Sequence, residues 1–113
     1  MDLISVNSQI KGNQFLSETL AQLEKDFLLI GINFDVKNPI TEYKTLFAFT
    51  NNLVNSLNEK NPKLLLSLLY RIDLSEEMVQ KQMQETSLSF SEILSELIVK
   101  RELYKVVLRK NIY

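Results

Sequence analysis

The stretch Ser89-Phe-Ser-Glu-Ile-Leu-Ser-Glu-Leu-Ile-Val-Lys-Arg-Glu-Leu-Tyr-Lys-Val-Val-Leu-Arg-Lys-Asn-Ile-Tyr113 decides the fold. At about 100° per residue, a helix through it gathers Phe90, Ile93, Leu94, Leu97, Tyr104 and Leu108 on one side. Val99, Leu103, Val106 and Val107 fall on the opposite side. A helix resting on a core needs one apolar stripe. Two stripes describe either a central helix covered from both sides or a helix that docks on a partner. Four aliphatic side chains exposed together form a patch that soluble monomers avoid, and a twofold helix contact is a common way to cover one. Val99, Leu103, Val106 and Val107 are therefore read as an interaction surface, with a homodimer or another protein as the partner.

Upstream, the same spacing rules predict further helices. Leu16, Leu20, Leu23, Phe27 and Ile30 follow a 4-3-4-3 spacing, a narrow helical seam closed by Gly31. Tyr43, Leu46, Phe47, Leu53, Val54 and Leu57 form the face of a second helix, with Asn38-Pro39 or Thr41 as its start signal. Asn61-Pro62 repeats the cap-and-proline device before Lys63–Ile72, which is apolar almost all round and so expected to be deeply buried. Ser75 caps a helix from Glu76 to Thr86, with Leu74 and Val79 as a hydrophobic staple. Ser89 and Glu92 form a capping box for the last helix.

The period shortens at two places. Ile4 with Val6, and Ile32 with Phe34 and Val36, alternate as in a strand. Two readings stand: a short ribbon near 3–6 and 32–36, or an extended connection at 32–36 that carries Phe34 into the core. Two glycines and two prolines in 113 residues are too few for the turns of a compact β fold. The expectation is one domain over residues 1–113, an all-α bundle of about five helices.

Composition excludes more chemistry than it suggests. No histidine occurs, so histidine-based acid–base catalysis, zinc sites and di-iron motifs of the Glu-x-x-His type are out. No cysteine occurs, which removes disulfides and thiolates. Gly12 and Gly31 are isolated, so no glycine-rich loop can cradle a phosphate. The net charge of −1 supplies no field for nucleic acid or an anionic membrane. No apolar run reaches the length of a bilayer span, and neither a signal peptide nor a linker stands out. The expectation is a cytoplasmic, non-catalytic interaction or structural domain, self-associating, with no cofactor, metal or catalytic residue. A small regulatory nucleic-acid-binding protein is the alternative, followed by a small-ligand-binding protein.

A few charged residues invite sharper readings. Asp73, Glu76 and Glu77 are the nearest thing to a carboxylate cluster, but capping and helix-dipole complementarity account for all three. Glu92 and Glu96 sit one turn apart, with Glu96 placed to pair with Lys100. Arg71, at a helix end, is expected to pair with Asp73 or a nearby glutamate. Arg101 lies on the main apolar stripe between Leu97 and Tyr104. A charge there must be paired or reach solvent, so Arg101 is read as a buried ion pair or, more sharply, a ligand-binding arginine. The basic run Lys100, Arg101, Lys105, Arg109 and Lys110 is interrupted by Glu96 and Glu102. Positive charge at a helix C-terminus is favoured by the dipole without any nucleic acid.

Overall fold

The structure, a computed structural model, describes residues 14–34, 36 and 39–111. Among these, five helices account for the regular structure: α1 (Leu16–Leu29), α2 (Tyr43–Lys60), α3 (Pro62–Arg71), α4 (Glu76–Glu85) and α5 (Phe90–Asn111). The protein is an all-α bundle. Its radius of gyration is 13.4 Å, against about 13 Å for a folded chain of roughly this length. The long α5 is the central strut, packing on α2 most extensively and also on α1 and α4, while α3 closes against α2 and α1. Ser95, fully buried on α5, suits the α2–α5 crossing because its small side chain lets the backbones approach. Its hydroxyl is satisfied by the Ser91 carbonyl at 2.6 Å and by Asn51 Oδ1 on α2 at 3.3 Å.

Local chemistry explains most helix boundaries. Asn61 caps α3 by accepting from the Leu64 N–H at 3.3 Å, with Pro62 in the first turn. Ser75 caps α4 through the Met78 N–H at 3.3 Å. The capping box of α5 is reciprocal: the Glu92 N–H donates to Ser89 Oγ, and the Ser89 N–H donates to Glu92 Oε1, both at 3.3 Å. At the other end, α1 and α3 stop in the same way. Gly31 (φ 84°) and Asp73 (φ 64°) take the left-handed conformation. The residue after each then donates back three residues inside its helix, Ile32 N–H to Phe27 O and Leu74 N–H to Leu69 O, both at 2.9 Å.

One of two open readings is decided, and two expectations need correction. Residues 32–34 and 36 form no strand. They are the extended connection, and Phe34 is buried between Phe27 and Phe49, with ring centroids at 5.1 and 4.9 Å. The ribbon's other half, near 3–6, lies outside the described residues. Helix α2 starts at Tyr43 and not at Asn38-Pro39 or Thr41, and its N-cap residue, Glu42, makes no side-chain capping bond. Pro39, Ile40 and Thr41 lie outside the helix, with Ile40 partly buried against the core. Finally, α3 is not buried all round. Leu65, Leu68, Leu69 and Ile72 face the core, whereas Leu66 and Tyr70 remain 48% and 88% exposed. One short helix on the rim of a bundle can be covered on one side only.

Candidate functional site

The second stripe of α5 does not lie on the surface. Val99, Leu103 and Val106 are buried, Leu103 to 4% exposure, and Val107 is partly buried. The expected exposed contact patch is interior instead. The reason is the central position of α5, which is covered over most of its circumference through Ile93, Leu94, Ser95, Leu97, Ile98 and Val99. The first stripe is covered only in part: Ile93, Leu94 and Leu97 are buried, but Phe90, Tyr104 and Leu108 are exposed. Angles on a helix say which residues share a side. They do not say how far along that side a neighbour reaches.

Arg101 is engaged within the chain. Its Nε donates to the Ile72 carbonyl at 3.0 Å, its Nη2 lies 3.5 Å from Asp73 Oδ2, and its guanidinium sits 5.8 Å from the centroid of the Tyr104 ring. It fastens the C-terminal end of α3 to α5 through a pair that is partly exposed rather than buried, with the Asp73 side chain 89% exposed. Arg71 does not pair with Asp73. It reaches across to α1 and meets Asp26 Oδ1 at 3.5 Å.

Asp26 belongs to a buried polar cluster that the sequence did not reveal. It is 5% exposed and faces Glu102 on α5, which is 0% exposed. Gln22 donates to Asp26 Oδ2 at 3.1 Å, and Arg109 donates to Gln22 Oε1 at 3.0 Å. Lys105 Nζ stands between the two acids, 3.7 Å from Asp26 Oδ2 and 3.5 Å from Glu102 Oε1. Neither Glu102 oxygen has a hydrogen-bond partner, a costly state for a buried carboxylate. Protonation resolves it, since a neutral acid can donate its proton toward Asp26. Burial, reinforced by the Asp26 carboxylate, pushes Glu102 up to about 8 against the pull of Lys105. Burial also pushes Asp26 upward, but the Glu102 proton, Gln22 and the Lys105 and Arg71 charges outweigh it and hold Asp26 below its ordinary range. The two acids are thus pushed apart, Glu102 upward and Asp26 downward, with Lys105 beside both and Arg71 beside Asp26.

The surface feature lies on α3. Leu66 and Tyr70 project outward beside a groove of about 290 Å³, lined by both of them with Leu69, Asp73, Leu74 and Glu76. Its floor is apolar and its rim carries two carboxylates. Asp73, Glu76 and Glu77 do not converge as a cation site: Asp73 pairs with Arg101, and the glutamates occupy the first turn of α4. Among the described residues no helix is long and apolar enough to cross a membrane. Comparison with known proteins finds no matching family model, no matching curated protein and no matching solved structure.

Proposed function

We propose that the protein is a non-catalytic helical interaction module that self-associates in the cytoplasm. The observation that carries this reading is the outer side of α3, where a leucine and a nearly fully exposed tyrosine flank an apolar groove. Tyrosine is enriched in protein contacts, and this one stands beside an exposed leucine and an apolar groove. A fold that needs neither disulfide nor metal suits a reducing compartment.

The alternative, nucleic-acid binding, finds less support. Lys100 pairs with Glu96 at 2.7 Å, Arg101 with Asp73, Lys105 with Asp26 and Glu102, and Lys110 with Glu18 at 3.1 Å. The basic run is largely neutralised by its own chain. Phosphate binding draws on cations that release counterions, and paired ones have little to give. Sedimentation velocity from low to high micromolar concentration tests the proposal: the coefficient should rise with concentration. A constant monomer value throughout would remove self-association from the reading.

A further inference from the structure

We infer that a second copy of this chain docks on the outer face of α3, antiparallel and about a twofold axis near Ser67, so that Lys63 of each copy enters the groove of the other. This rests on the self-association proposed above and names its surface.

The face reads as its own complement. Lys63, Leu66, Ser67 and Tyr70 lie within about 100° of one another on the helix wheel, opposite Leu65, Leu68, Leu69 and Ile72, which are buried. Its N-terminal end carries a cation, Lys63, which has no ion-pair partner among the described residues. Its C-terminal end opens into the groove, whose rim holds the Asp73 and Glu76 carboxylates. Apolar side chains lie between. Turning such a face by half a revolution sets Lys63 against Glu76, with Asp73 beside it still 89% exposed while paired with Arg101, and sets Leu66 against Tyr70, twice over, as an isologous contact requires.

The groove suits a lysine. Leu69, Leu74 and the Tyr70 ring would take its aliphatic stem, and the rim carboxylates its ammonium. Ser67 at the centre is small, and its hydroxyl already donates to the Lys63 carbonyl at 3.1 Å, so covering it orphans no polar group. A contact built on one helix of 10 residues falls at the small end of specific interfaces, near about 1,000 Å², where affinities are modest.

The test uses two charge reversals on exposed residues, Lys63→Glu and Glu76→Lys. Each alone places like charges at both ends of the twofold contact and should weaken self-association roughly tenfold or more. Mixed together, the two variants restore opposite charges at both ends and should form a heterodimer as tight as the wild-type pair. In the cysteine-free chain, Ser67→Cys should cross-link to itself with a short bismaleimide, and Asn55→Cys on α2 should not. If wild type associates but both reversals associate equally well, or if the mixture fails to restore binding, this face is wrong while self-association stands. If wild type stays monomeric, self-association itself fails, and this face with it.

Discussion

Replacing Glu102 with glutamine should change how stability depends on pH more than it changes stability itself. The chain has no histidine, so between about pH 5.5 and pH 8 only Glu102 and the α-amino group change charge appreciably. The ordinary value for the acid is 4.5, and in the folded protein burial and Asp26 push it up to about 8. Over that window the folded state holds a proton that the unfolded state has lost. Stability therefore falls as pH rises, by about 1.4 kcal/mol per unit once the unfolded acid is ionised. From pH 5.5 to pH 8 the loss comes to about 3 kcal/mol, because the side chain is fully buried and solvent screens little of the effect. Asp26 works in the opposite direction. Its value is depressed from 3.8, so its contribution is complete above that pH and disappears only in stronger acid. Urea unfolding followed by circular dichroism reads this as a midpoint falling by roughly 2 M across the window. Glu102→Gln cannot titrate, and its amide can still donate to Asp26. The variant should lose less than about 1 kcal/mol over the same range and be the more stable protein at pH 8. A wild-type midpoint flat with pH, or a glutamine variant as steep as wild type, would refute the upward shift of Glu102.

Other substitutions probe the remaining assignments. Leu103→Ala should cost about 2–5 kcal/mol by thermal or urea unfolding, as befits a buried leucine, and Leu103→Glu should fail to fold rather than yield a folded monomer. Asp73→Gly should raise stability by roughly 0.5–1 kcal/mol, since glycine takes the left-handed conformation without strain and the pair lost with Arg101 is partly exposed; a loss of stability would mean that this pair matters more than the backbone. Fluorescence anisotropy with duplex DNA or single-stranded RNA should show only weak binding erased by about 0.15 M salt. Tight binding lost on neutralising Lys105, Arg109 and Lys110 would favour the nucleic-acid alternative.

Much of the fold was legible because it rests on local chemistry. Asn61-Pro62, Ser75 and the Ser89–Glu92 box are caps that need only their own turn of helix, and each one forms. The seam of α1 and the face of α2 were readable from spacing alone. What spacing cannot supply is the neighbour. Leu66 and Tyr70 look like core beside four other leucines until the position of α3 at the rim leaves them outside. Val99, Leu103 and Val106 look like a spare surface until α5 turns out to be the centre of the bundle. Glu102 reads only as a break in a basic run, and nothing in the sequence singles out Asp26. Their partnership spans helices separated by most of the chain, and no single-helix pattern records it. One clue was present: on the wheel Glu102 lies at about 120° from Phe90, in the arc between Leu94 and Val99, inside the buried part of α5.

Hydrogen exchange measured over a dilution series tests most directly where copies meet and where the core lies. Amides of α3 from Leu64 to Arg71 should gain protection as concentration rises through the micromolar range, while those of α5 from Ile93 to Val106 are strongly protected at every concentration. Protection that grows with concentration along α5 and stays constant along α3 would contradict both the interior placement of α5 and the contact on α3.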